Sequence, residues 1–199
     1  MNLALFDFDG TITDREMFIA FLELAVEQRR LVLGKAALAP LLVGYRLGMV
    51  SGNLIRAAAV RVGLSGVALA TLESHGITFA EQVLPGVIRQ QALERIHWHR
   101  AQGDTVAVVS GALEVALSYW CVSHGLDLIG SILEHRGGIL TGRYLGRQCL
   151  RAEKTRRIRE RYDLSRYDTV YAYGDTKDDL DMLALAGKRY YQWKEQPAT

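Results

Sequence analysis

The chain of 199 residues lacks several things, and each absence narrows what it can be. It carries two cysteines, Cys121 and Cys149, which form no close-spaced metal or redox motif. Both are expected as buried small hydrophobes in a reducing compartment, so a cytoplasmic protein is expected. There is no internal repeat and no low-complexity tract beyond a polar tail after Trp193. A net charge of +2 is too small to make nucleic acid or an anionic membrane the main partner. No basic region precedes the first acids at position 7, so the N-terminus does not read as a secretory signal. Nor is there a long uncharged apolar run. Leu31 to Val50 comes nearest, but Lys35 and Arg46 interrupt it and Pro40 sits in the middle. Its uncharged stretch, Ala36 to Tyr45, covers ten residues, and a span needs roughly 20. It is read as a buried helix pair; an apolar face toward a lipid-like substrate or a membrane is the alternative. Membrane contact is not expected.

What is present is an ordinary globular composition, 49% hydrophobic and 23% charged, enough for one domain or a core with a small inserted module. Asn2 to Phe8 has the length of a buried parallel strand. Phe18, Phe21, Leu22 and Ala25 fall at helical spacing, and Arg56 to Val62 reads as a helix that Gly63 stops. After Pro85-Gly86 come a helix (Val87 to Ala101), a strand (Thr105 to Val109), a helix (Leu113 to His124) and a strand near Leu128 to Ile132. Gly137-Gly138 marks a hairpin within Leu133 to Leu145. A helix from Lys154 to Tyr162, a strand from Thr169 to Tyr173 and a helix from Leu180 to Ala186 complete the pattern. Alternating strands and helices predict an α/β fold with a parallel sheet. Ligands bind such sheets beyond the carboxyl ends of the strands. Asp7 to Thr11, Ser110-Gly111 and Gly174-Asp175 all follow strands, so they should meet at one edge.

Asp7 and Asp9, two apart on a strand, face one way, and mutual repulsion would push one toward holding a proton. That suits a nucleophile beside a general acid. Gly10 permits a sharp turn and close approach of backbone amides to a phosphate. Ser110 and the Gly111 amide, read at a helix N-terminus, offer an anion site. Asp175, Asp178 and Asp179 put more acids after one strand than capping needs. Asp7, Asp9, Asp175, Asp179 and a phosphate cannot share a pocket without positive charge. Mg2+ and Lys154 would supply it.

The order Asp7-Phe8-Asp9-Gly10-Thr11, Ser110-Gly111, Lys154 and Gly174-Asp175…Asp179 resembles the four motifs of the haloacid dehalogenase superfamily of phosphatases, over nearly the whole chain. The helical stretch between the first two motifs is similar to the cap of the subfamily containing phosphoserine phosphatases. The resemblance implies a Rossmann-like parallel-sheet core in residues 1–14 and 83–199 and a helical cap in residues 15–82. It implies that Asp7 attacks phosphorus to form an aspartyl-phosphate, and that Asp9 protonates the leaving alcohol and later activates water. Mg2+ would be held by Asp7, the Asp9 backbone carbonyl and Asp175, with Asp179 orienting from behind. Thr11, Ser110 and Gly111 would hold phosphoryl oxygens.

For the substrate, a small phosphate ester is expected. Glu16 lies where phosphoserine phosphatases bind the substrate amine, and Arg56 near where they bind the carboxylate, with Arg46 and Arg61 as rivals. Ala112, Thr176, Lys177 and Asp178 depart from that family's pattern. The Ala39-Pro40-Leu41-Leu42 segment resembles phosphatases of phosphatidylglycerophosphate instead. A receiver domain would lack the insertion and need no Asp9, a dehalogenase lacks that acid, and a phosphomutase stays open. His97-Trp98-His99 would point its two imidazoles apart on a helix, so no metal site is expected there.

Overall fold

The computed structural model describes residues 1–197. Its main sheet has six strands in the order β3-β2-β1-β6-β7-β8. These are β1 (Leu3–Phe6), β2 (Thr105–Leu113), β3 (Asp127–Ser131), β6 (Val170–Gly174), β7 (Lys188–Tyr191) and β8 (Lys194–Gln196). All neighbours are parallel except the antiparallel β7–β8 pair. A separate hairpin joins β4 (Leu133–Arg136) to β5 (Ile139–Tyr144) around Gly137-Gly138.

Strand β1 shows why an unbroken apolar run belongs at the centre. Its four residues are all buried, and the pleat sends alternate side chains to opposite faces. Ala4 and Phe6 join a core with Ile96, Leu117 and Trp120; these lie on α5 (Gln90–Ala101) and α6 (Glu114–Ser123). Leu3 and Leu5 join a second core with Ile158, Met182 and Leu183, on α7 (Ala152–Arg161) and α8 (Leu180–Leu183). Phe6 lies level with Val108 of β2 and Tyr173 of β6. The residues just past all three strand ends therefore come to one edge.

Between β1 and β2 lie α1 (Phe18–Ala25), α2 (Gln28–Arg46), α3 (Gly52–Leu64) and α4 (Leu69–Gln82), ahead of α5. Phe18, Phe21, Leu22 and Ala25 are all buried, as their helical spacing requires. Gly63 lies inside α3 and does not stop it; that helix starts from Ser51, whose hydroxyl accepts from the Leu54 amide.

Two expectations are corrected. Leu31 to Val50 is not a buried helix pair: it is one helix and its turn, with Pro40 inside α2 and only Gly34 and Gly44 of that helix buried. Glycines let α2 approach its neighbour, since a Cβ on Gly34 would lie 3.0 Å from Val62. Within the polar tail after Trp193, Lys194–Gln196 form an edge strand, because antiparallel pairing needs backbone and little apolar character, while 198–199 lie outside the described residues.

Candidate active site

Asp7 continues β1, and its amide donates to the Tyr173 carbonyl (2.9 Å). The chain then turns back, with the Ile12 and Thr13 amides both donating to the Phe8 carbonyl. Phe8 points inward against Trp120, which leaves the flanking Asp7 and Asp9 facing the pocket. Gly10 has φ +79°, and a Cβ there would lie 2.2 Å from an Asp175 oxygen. Glycine is thus demanded twice, by backbone conformation and by the acid packed on it.

Lys154, in the first turn of α7, is 1% exposed. Its ammonium donates to Asp7 (2.5 Å) and to Asp179 (2.6 Å). The other Asp179 oxygen accepts from the Asp175 amide and from the amide and hydroxyl of Thr176. Asp179 is therefore a fully engaged brace. Asp175 is half-buried and accepts from the Thr11 hydroxyl (3.2 Å). Single oxygens of Asp7, Asp175 and Asp179 all lie within 4.8 Å of one another.

Burial pushes Asp7 well above its ordinary value, opposed by the Lys154 charge and reinforced by that of Asp179. Burial works against the Lys154 ammonium as well, but Asp7 and Asp179 outweigh it and hold the lysine above its usual range. Burial raises Asp9 to about 6; the Glu16 charge adds to this and Arg56 opposes it. Mutual repulsion between Asp7 and Asp9, which the sequence suggested as the cause, is at most a minor contributor to either shift. The Asp9 carboxylate is turned away from the acidic group, accepting from the Met17 amide (3.0 Å) with Arg56 4.0 Å off.

Ser110 is buried on the pocket wall, yet not at a helix N-terminus as expected. Strand β2 runs on to Leu113 and α6 begins only at Glu114. The register with β3 shifts between Val109 and Leu113, a bulge of the kind that re-aims side chains beside active sites. Within it the Ser110 hydroxyl accepts from the Ala112 amide (3.1 Å).

Asp7, Asp9, Glu16, Arg56, Ser110, Gly111, Lys154 and Asp179 line one cavity of about 410 Å³. Thr11 and Asp175 are bonded to each other beside it and do not line it. Glu16 precedes α1 and pairs with Arg56 (2.6 Å), whose guanidinium also lies over Phe18 and donates to the Gly111 carbonyl. Of the three candidate arginines only Arg56 reaches the cavity; Arg46 and Arg61 do not line it. Tyr45 and Asn53 do line it, and no motif pointed to them. Also unread were Gln192 and Trp193. Trp193 donates to the Thr11 carbonyl (3.2 Å) and Gln192 to the Asp175 carbonyl (3.3 Å), tying the β7–β8 turn to both acidic loops. His97 is exposed and His99 buried, so no paired-histidine site forms.

Oxygen donors converging on a pocket short of positive charge, beyond a parallel sheet, are what a hydrolase handling an anionic ester requires. The family model for haloacid dehalogenase-like hydrolases matches residues 4–184, and the chain belongs to that family. It is 34% identical over 199 residues to protein CicA of Caulobacter vibrioides, covering 98% of this chain and 88% of that protein. It is 31% identical over 123 residues to a histidinol-phosphatase of Neisseria meningitidis serogroup C, covering 58% of this chain and 55% of that one. The fold is shared with a probable phosphoserine phosphatase from Vibrio cholerae, at a TM-score of 0.69 and 22% identity, covering 96% of this chain and 55% of that one.

Proposed function

We propose that the protein is a Mg2+-dependent phosphate-monoester hydrolase that works through an aspartyl-phosphate on Asp7. The observation that carries this reading is the buried Lys154 ammonium bridging Asp7 and Asp179, with Asp9 set apart at the same cavity. The donor set fits the metal: hard carboxylate oxygens, gathered where Lys154 alone cannot balance them. Asp7, Asp175 and the Asp9 carbonyl would hold it, with Asp179 bracing the loop. When bound, Mg2+ supplies charge neutralisation for the phosphoryl oxygens.

The rest is done by the chain itself. Lys154 fixes the Asp7 carboxylate for attack on phosphorus, and the bond to the leaving alcohol breaks as the Asp–phosphorus bond forms. Asp9, raised to about 6, gives its proton to the departing alkoxide and then takes one from the attacking water, whose oxygen bonds to phosphorus as the Asp7–phosphorus bond breaks, releasing phosphate and restoring the Asp7 carboxylate. Ser110 and the Gly111 amide, which line the cavity, would hold phosphoryl oxygens, and Thr11, whose hydroxyl donates to Asp175, would join them, so that positioning and electrostatics carry the rate. Residues 15–82 act as the cap.

For the substrate we infer a small phosphoserine-like ester bearing an amine. Glu16 stands at the cavity with a carboxylate for an ammonium, and Arg56 offers a partner for a carboxylate. The Neisseria relative is a histidinol-phosphatase, and histidinol phosphate also carries an amine, which agrees with an amine-recognising acid. Phosphate release across phosphorylated amino acids, amino alcohols, sugars and lipid phosphates, with and without a chelator, is the test. Glu16→Gln should cut turnover of amine-bearing esters while sparing p-nitrophenyl phosphate; equal loss on both would remove the amine-binding role. Preference for a lipid phosphate would replace the small-ester reading and keep the chemistry.

A further inference from the structure

Helix α2 does not look like a surface helix of a self-contained protein. Such helices show water a polar stripe and bury an apolar one. Here the only buried positions are two glycines, while Val32, Leu33, Leu42 and Val43 stand exposed. The turn that follows exposes Leu47 (65%) and Met49 (74%), and the first turn of α3 exposes Leu54. With Tyr45, these make eight of the eighteen exposed large apolar side chains among the described residues, in about an eighth of the chain. Beneath α2 an apolar cavity of about 330 Å³ opens between α1, α2 and α3, walled by Leu22, Leu31, Leu38, Ile55 and Val62. Concentrated exposure of this kind marks a surface that something covers.

Charge identifies what covers it. From Gln28 to Leu72 the sequence has six basic residues and no acid, although the whole chain carries only +2. Arg29 and Arg46 of α2 have no acidic partner among the described residues. A symmetric contact between two copies would set this patch against itself, cation facing cation with no acid in either segment. A surface of anionic lipid headgroups over acyl chains complements both the arginines and the aliphatic side chains. No described helix is long and apolar enough to cross a membrane, so the helix would lie in the interface.

We propose that α2 and the α2–α3 turn form a docking surface for an anionic lipid bilayer. The surface adjoins the phosphate pocket, since Tyr45, Gly52 and Asn53 of the same segment line that cavity. Docking brings the pocket mouth to the headgroup layer. The proposal is independent of which ester is cleaved, because it is read out by binding alone.

The test is sedimentation of the full chain with phosphatidylcholine vesicles and with equimolar phosphatidylcholine–phosphatidylglycerol vesicles, without substrate. Binding is expected to the anionic vesicles only, and to weaken at 1 M salt, where the screening length shrinks to about 3 Å. Arg29→Glu combined with Arg46→Glu should lower partitioning by roughly tenfold or more. Leu33→Glu with Met49→Glu should abolish it, leaving p-nitrophenyl phosphate hydrolysis intact as a check on folding. A Met49→Trp protein should shift its emission to the blue on anionic vesicles. Absence of the chain from the anionic-vesicle pellet, or binding that the Leu33 and Met49 changes leave untouched, overturns the proposal. So does a lipid-free dimer that those changes dissociate, because the face would then be a self-interface.

Discussion

Gly10 concentrates the site's constraints in one residue. With φ at +79° and Asp175 pressed on its missing side chain, Gly10→Ala must both strain the backbone, by about 1–3 kcal/mol, and push Asp175 off its place. Thermal unfolding should register the first effect, and a rise in the Mg2+ concentration needed for half-maximal activity the second. The acids separate by role. Under the proposed mechanism Asp7→Asn removes the nucleophile and should leave no measurable phosphate release, while retained full activity would sink the covalent mechanism. Asp9→Asn should lose about 10²–10⁴-fold, the range of general acid–base catalysis, with the fold unaltered by circular dichroism. The motif residues were legible because each chemical role admits few side chains. Tyr45 and Asn53 were not, because a pocket wall accepts many.

At the scale of elements, the strand ends bring the candidate site together and a late hairpin braces it. The turn at Gln192 and Trp193, both at positive φ (50° and 62°), reaches back to Thr11 and Asp175. Trp193 also packs on Phe6 and Tyr173. Trp193→Ala should therefore lower stability by roughly 1–3 kcal/mol, since a partly buried aromatic gives up less than the 3–5 of a full core truncation. It should also reduce kcat, because Thr11 loses its support. Denaturant midpoints and steady-state rates measure the two, and a stable but undiminished enzyme would confine Trp193 to packing. Buried β1 and amphipathic α1 were readable, because their apolar spacing is their function. Edge strand β8 was not, because its stabilisation comes from a backbone ladder that any polar sequence can join.

At the scale of the whole molecule, a buried polar triad lies beneath the sheet. His99 bonds Asp104 through Nδ1 (2.8 Å) and the Tyr173 hydroxyl through Nε2 (2.9 Å), and Asp104 also accepts from the Asn2 amide. Burial lowers the His99 pKa below 6.5. Burial opposes the Asp104 carboxylate, but His99 and Asn2 outweigh it and hold Asp104 below its ordinary value. Both groups bind protons more readily when unfolded, so both stabilise the fold at neutral pH; His99 loses its contribution as pH falls below about 6.5, Asp104 only as it falls below about 3.8. Asp7 and Asp9, raised by burial, act with the opposite sign over the same range, so the His99 part is read as a difference. The melting-temperature gap between the native chain and His99→Gln should narrow from pH 7 to pH 5, and a constant gap would overturn this role of His99. By itself the sequence determined the family and the alternating architecture, because strand runs and motif residues are local and chemically exacting. Only the tertiary structure decided that Lys154 bridges Asp7 and Asp179, that Arg56 rather than Arg46 or Arg61 reaches the pocket, and that α2 lies bare. Those outcomes depend on which distant surfaces meet. The Asp7 to Thr11 segment could point to its family but not to its neighbours.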